Sequence, residues 1–246
     1  MKKCYQAFFA GLVCLVLAAP VLAIEIDPAD VLEGTPIPIG GGSPLGCGTT
    51  IYENIGTTYF YSSSLTRNVL DDGNFPPGTA PVCMGCVQLA WQQRTQQQLY
   101  VAVDFYDTVV PGGPVCNLTW LGGFTVNFGV VAVGGWISNP IDISATPITF
   151  PDDSWCVQMR FFRLLSPLTY STVAHVFFAN GGPTVGSNNG TVFWWDANNN
   201  GTFDCPSEAY SFAVPNLSQF YLKLSATLTP SATESSSWGT IKALYR

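Results

Sequence analysis

Charge and histidine are both scarce in this chain. Charged residues make up only 10% of its 246 residues, and His175 is the single histidine. The nine lysines and arginines are outnumbered by sixteen acidic residues, so the formal net charge is −7. The basic residues are scattered from Arg67 to Arg246 once Lys2 and Lys3 are set aside, and they form no patch. That excludes nucleic acid and anionic membranes as expected partners. One histidine and a single C-x-x-C, Cys83-Met84-Gly85-Cys86, leave zinc short of ligands. A Ser-His-Asp site would have to use His175, which lies in the apolar run Val173–Phe178, and no serine stands in a G-x-S-x-G setting. The glycine runs near Gly40 and Gly181 lack the lysine of a phosphate loop. Sustained helical periodicity is missing as well.

The only long apolar run is N-terminal. Lys2 and Lys3 precede the apolar residues Phe8–Ala19, Pro20 breaks the run, and Val21-Leu22-Ala23 offers small residues for cleavage. The run is too short to span a membrane, so residues 1–23 read as a secretory signal cut after Ala23. Cys14 sits inside the run behind the large Val13, which argues against a lipoprotein site. No transmembrane span is expected in the remaining chain. Residues 24–48, with their prolines and Gly40-Gly41-Gly42, read as a flexible segment.

Residues 49–229 read as short strands joined by glycine- and proline-rich turns. Val87, Leu89 and Trp91 alternate with polar or small residues, and so do Leu99, Val101, Val103 and Phe105. Only the polar stretch from Arg94 to Gln97 separates the two, which predicts a hairpin with one buried face. Asp71-Asp72-Gly73 and Pro76-Pro77-Gly78 predict a long turn. Phe124–Phe128, Trp155–Phe162 and Phe220–Thr229 alternate in the same way. The fold expected is all-β, an antiparallel β-sandwich or jelly roll. After Pro230 the composition shifts to a polar linker and a tail ending Trp238-Gly239-Thr240-Ile241-Lys242, so 230–246 is expected to stand apart from the domain.

Six cysteines follow the signal: Cys47, Cys83, Cys86, Cys116, Cys156 and Cys205. In an exported chain an even number reads as disulfides, with the pairing open; a local Cys83–Cys86 bridge is one of the choices.

One stretch carries more chemistry than the rest. Asp196, Asn198 and Asn200 occupy positions 1, 3 and 5 of a D-x-N-x-N-G pattern, with Gly201 next and Asp204 at position 9. Alternate side chains along such a turn point into one hole, which is how calcium loops gather oxygens. Asp196, Asn198, Asn200, the Thr202 carbonyl and Asp204 are therefore candidate calcium ligands. Position 12 is Ser207, with Glu208 beside it, so an EF-hand is not matched. The competing reading is a turn whose Asn and Asp side chains bond their own backbone.

A second group lies on a strand. Tyr100, Asp104 and Tyr106 share one face, and Gln88, Gln92, Gln158 and Arg160 are candidate neighbours. Aromatic rings with amides and one carboxylate suit sugar binding, whereas hydrolysis of a glycosidic bond calls for two carboxylates.

The signal segment, the strand-turn pattern of Tyr100–Asp107 followed by Leu121-Gly122-Gly123-Phe124, the D-x-N-x-N-G loop behind Phe193-Trp194-Trp195 and the W-G-x-I-K tail together resemble secreted β-sandwich proteins of environmental bacteria. The resemblance implies a fold and an address, secreted or at the bacterial cell surface, and no activity. The expected function is a non-catalytic sandwich protein with a calcium-stabilised loop, facing extracellular polysaccharide or cell-surface components. A carbohydrate-binding module and a sandwich-fold glycoside hydrolase are the alternatives.

Overall fold

A computed structural model describes residues 24–26, 31–34, 36–39, 47–56, 59–62, 65–108, 118–188, 192–203, 207–212 and 219–227. Among these residues there is no helix; the protein is all-β, with sheets packed face to face. Two large sheets enclose the core. The first runs, in spatial order, Ile24–Ile26, Ala209–Phe212, Phe193–Trp195, Asn68–Asn74, Ser154–Leu165, Gln97–Thr108 and Leu118–Val131. The second runs Pro36–Ile39, Gly134–Ser138, Val82–Gln93, Leu222–Thr227 and Cys47–Asn54. A four-stranded sheet of Val31–Gly34, Tyr59–Ser62, Phe178–Ala179 and Gln219–Phe220 completes the structure. Among the described residues all pairings are antiparallel except two, Ile24–Ile26 on Tyr210–Phe212 and Pro36–Ile39 on Gly135–Ser138.

Period-two alternation decides what enters the core. Val101, Val103 and Phe105 point inward from the first sheet with Val157, Met159 and Phe161 of the next strand, in register at Val103↔Met159. They meet Leu89, Trp91, Leu222 and Leu224 of the second sheet. Aromatic edges lock one end. Phe150 meets Phe75 at 5.1 Å and Phe105 at 5.8 Å, both edge-on, and Tyr52 meets Trp155 edge-on at 4.6 Å. Such contacts add about 0.5–1.5 kcal/mol each beyond the burial of apolar area.

Four expectations are corrected. Val82–Gln93 and Gln97–Thr108 do not form a hairpin; they lie in different sheets, and the loop between them arches across the core edge. Both strands bury a face, as their alternation requires, but they bury it from opposite sides. Gln88 and Gln92 therefore stand on the far side of the sandwich from Tyr100, with the Gln88 amide on the Ser138 carbonyl at 2.8 Å. Asp71, Asp72 and Gly73 are not a turn; they lie mid-strand in Asn68–Asn74, between Ser154–Leu165 and Phe193–Trp195. Residues 24–48 are not uniformly loop-like, since three strands form there and Cys47 opens a fourth. The cysteine expectation narrows to one bridge among the described residues, Cys47–Cys86, while Cys83 is exposed and free and Cys156 is buried and free. That bridge joins the two strands flanking Leu222–Thr227, so a local Cys83–Cys86 bridge is ruled out. Cys116, Cys205, the signal segment and the tail lie outside the described residues.

Candidate functional site

The outward face of the first sheet is not a plain solvated surface. Leu70, Cys156, Trp194 and Ala209 form a small second cluster there, covered by Tyr106, Leu118, Val192 and Phe203. The chain leaves the sheet after Trp195 and returns across this cluster through the D-x-N-x-N-G loop, ending at Phe203. Burial drives the return: left open to water, Leu70 and Trp194 would cost about 1.5–3 kcal/mol each.

The loop is held by its own oxygens. The Asp196 carboxylate is buried and accepts the Asn200 N–H at 3.0 Å and the Gly201 N–H at 2.9 Å. Asn198 Oδ1 accepts the Asn200 N–H at 2.9 Å, and Asn200 Oδ1 accepts the Thr202 N–H at 2.8 Å. Asn199 and Gly201 adopt positive φ, 59° and 86°, which Asn tolerates and Gly favours. Glu208 is also buried, and its carboxylate accepts the Ala197 N–H at 2.9 Å and the Asn198 N–H at 3.2 Å. Position 12 is thus bypassed, and the carboxylate one residue on closes the loop. The alternating oxygens that suggested a cation turn toward backbone N–H groups, so the turn chemistry accounts for the motif without a metal. Three of these oxygens accept twice: Asp196 Oδ2 also takes an Asn68 amide hydrogen, Asn200 Oδ1 also takes the Thr202 hydroxyl hydrogen, and Glu208 Oε1 takes both N–H groups. No cluster of three or more His, Cys, Asp or Glu occurs among the described residues; Asp204 lies outside them.

A chain of amides ties this loop to the strand face. Tyr106 donates its hydroxyl hydrogen to Gln158 Oε1 at 2.6 Å, Gln158 Nε2 donates to Asn68 Oδ1 at 2.6 Å, and Asn68 Nδ2 donates to Asp196 Oδ2 at 3.2 Å. Gln158, Asn68 and Asp196 are all buried. The register explains the alignment: Asp104 pairs with Gln158, Ala102 with Arg160, and Asn68 with Arg160 from the other side. Burial raises the Tyr106 hydroxyl above its usual pKa, and the Asp104 charge adds to this. Burial, then Asp72, pushes the Cys156 thiol well above its usual range, so it is an inert thiol.

Asp104 is held on two sides. Arg160 forms an ion pair with it, and the Trp120 indole N–H donates to its Oδ1 at 3.1 Å. Gly123 stands opposite Asp104 on the edge strand, where a Cβ would lie 2.3 Å from the carboxylate oxygen and 2.8 Å from the Val103 carbonyl. Only glycine leaves room for the carboxylate.

The two features picked from sequence converge. A cleft of about 310 Å³ opens between them, with Tyr106, Gln158 and Arg160 on the sheet wall and Gly201, Thr202 and Phe203 on the loop wall. Tyr106 and Thr202 line it directly. Asp104 reaches it through Arg160, and Asp196, Asn198 and Asn200 shape its loop wall. Tyr100 shares the face but stands further along the strand, between Asn127 and Phe162, and does not line the cleft. Sequence reasoning missed Trp120, Asn68, Phe203 and the closing role of Glu208. Trp120 was recoverable in principle, since it is the residue opposite Tyr106 once the strands are paired. Asn68 carried no signal, because its role depends on a partner 128 residues away.

His175 takes no part in the cleft. Its Nδ1 bonds the Leu65 carbonyl at 3.1 Å, and burial lowers its pKa from 6.5 to about 4, the Leu65 carbonyl opposing and the Arg94 charge assisting. It is a neutral structural residue.

No protein-family model, no curated protein and no solved structure matches the chain. The functional reading rests on the cleft.

Proposed function

We propose that this is a secreted, non-catalytic carbohydrate-binding protein, and that the cleft between the sheet face and the 196–203 loop is where the sugar sits. The observation that carries the reading is the joining of an aromatic and amide wall to a loop wall across about 310 Å³. That volume is at the lower end of small-molecule sites. A sugar ring offers a flat C–H face and a rim of hydroxyls. Tyr106 and Phe203 supply apolar walls, and Gln158, Arg160 and Thr202 supply donors and acceptors for the rim. Asp104 supports binding rather than hydrolysis: its carboxylate is already engaged by Arg160 and the Trp120 indole, and no second carboxylate lines the cleft among the described residues to make the pair that hydrolysis calls for.

A glycan array, followed by calorimetry on the hits and a reducing-sugar assay, tests this. Thr202→Val and Arg160→Gln, on opposite walls, should each weaken binding about tenfold, as expected for losing a hydrogen bond or a charge-assisted one. No hit at millimolar sugar, or unchanged binding by both variants, would refute the reading. Release of reducing ends would replace it with hydrolysis.

A calcium ion in the loop wall is the second reading. Asp196 and Glu208 bring two buried carboxylates onto one turn, and Asp196 forms no ion pair among the described residues. A divalent cation would offset that buried charge.

A further inference from the structure

A larger cleft lies elsewhere, at the end of the sandwich where the 94–97 arch meets the 163–173 hairpin. It measures about 550 Å³ and shares no residue with the cleft described above. Arg67 and Arg163 line it together with Thr95, Gln97, Thr169 and Tyr170, and no carboxylate among the described residues lines it. Arg94 stands beside it, its backbone N–H on the Val173 carbonyl at 2.8 Å.

Two independent observations set this place apart. The first is charge segregation in an acidic protein. Arg160 is paired with Asp104 and Lys223 with Glu53, whereas Arg67, Arg94 and Arg163 form no ion pair among the described residues. All three stand at this one end. With a net charge of −7, nothing general attracts anions to the molecule, so three arginines with no ion pair among the described residues at one end of it stand out. The second is backbone strain. Arg67 has φ 75°, and it shares positive φ with only Asn199 among the described non-glycine residues. Its carbonyl accepts the Phe161 N–H at 3.0 Å, which pins the left-handed turn. A non-glycine residue held there costs on the order of 1 kcal/mol and tends to mark a ligand site.

We infer that the Arg67/Arg163 cleft binds the oxyanion of an acidic sugar, a uronate carboxylate or a sugar sulfate. Guanidinium forks match planar and tetrahedral oxyanions bidentately. The Thr95 and Thr169 hydroxyls and the Gln97 amide stand around them for sugar hydroxyls. Tyr170, stacked on Phe162 at 4.7 Å, offers a rigid ring wall. The cleft is roomy enough for about two sugar rings. This inference stands apart from the sugar cleft lined by Tyr106 and Thr202, which uses none of these residues.

The test is calorimetric titration of the full chain with digalacturonate, a sulfated disaccharide, a neutral disaccharide and inorganic sulfate, at low salt and again at about 0.5 M salt. A charged disaccharide should bind at least about tenfold tighter than the neutral one, and high salt should weaken it severalfold. Arg163→Gln and Arg67→Gln should each weaken it about tenfold. Arg163 is exposed, so its replacement should leave the melting temperature unchanged. Lys223→Gln makes the same change in net charge away from the cleft and should leave binding unchanged. Carboxylate and sulfate sources are told apart by which disaccharide binds. Equal binding of charged and neutral sugars overturns the inference. So does an effect of Lys223→Gln as large as that of Arg163→Gln, or binding of inorganic sulfate as tight as that of either acidic sugar.

Discussion

Acid should destabilise this fold through His175, and the size of the effect follows from where the ring sits. The Leu65 carbonyl can only accept, so Nδ1 carries the hydrogen and Nε2 is bare. Nε2 is buried without a partner among the described residues, and the Tyr61 ring lies 5.8 Å away, tilted by 33°. A proton added at Nε2 finds no acceptor. The folded pKa is about 4 against 6.5 for a free histidine. The unfolded chain therefore binds the proton first as pH falls, so stability is full above 6.5 and is lost between 6.5 and 4. Integrating the linkage from pH 7.5 to 4.5 gives a loss of about 2.5 kcal/mol. Asp71 runs the other way. Burial, then Asp72, raises its pKa well above the usual range, so its contribution is lost as pH rises instead. His175→Gln separates the two, because it removes only the histidine titration and its amide can still donate to Leu65. Urea unfolding of both proteins at pH 7.5 and 4.5 is the assay. The wild type should lose about 2.5 kcal/mol more than the variant across that range. A difference under about 0.5 kcal/mol, the usual limit of additivity, would refute the buried neutral histidine.

The Cys47–Cys86 bridge closes 39 residues, so on chain entropy it adds about 4 kcal/mol; Cys47→Ala with Cys86→Ala should lower Tm by roughly 8–16 °C in a scan, and a fall under about 2 °C would count against it. Alkylation of the native protein should label Cys83, while Cys156 should react only after unfolding, as mass spectrometry would show. If calcium binds the 196–203 loop with Kd about 0.1–1 mM, 10 mM calcium adds about 1.4–2.7 kcal/mol, a rise of several degrees in Tm that Asp196→Ala should abolish. Equal melting in EDTA and calcium would leave the loop as a hydrogen-bonded turn alone. Gly123→Ala should cost about 1–3 kcal/mol in unfolding experiments and weaken sugar binding, because its Cβ displaces Asp104 from Arg160 and Trp120; unchanged binding would show that Asp104 does not position Arg160.

Strand identity was readable because period two is local. Leu99, Val101, Val103 and Phe105 announce a buried face whatever their partners are. Partnering was not readable, and both large errors follow from that. Four polar residues between two alternating strands serve a hairpin and an arch equally well; the choice depended on Val82–Gln93 pairing with Leu222–Thr227 over 130 residues later. Asp71-Asp72-Gly73 has the composition of a turn, yet Asp71 is tolerated mid-sheet because the Phe220 N–H reaches its carboxyl at 2.8 Å and burial, then Asp72, raises its pKa well above the usual range.

The site divides along the same line. The sequence by itself determined that Asp196, Asn198, Asn200 and Gly201 form one tight oxygen-rich turn, and that Tyr100, Asp104 and Tyr106 share a face. Both are short-range consequences of side-chain spacing. Only the tertiary structure decided that the turn folds over that face, because Phe203 must cover Leu70 and Trp194, which belong to strands more than 100 residues apart. The same packing left Tyr100 away from the cleft and brought Asn68 and Gln158 in to join its walls. It also gathered Arg67, Arg94 and Arg163, scattered in the chain, at one end of the sandwich, since a sheet sets side by side what the chain holds far apart.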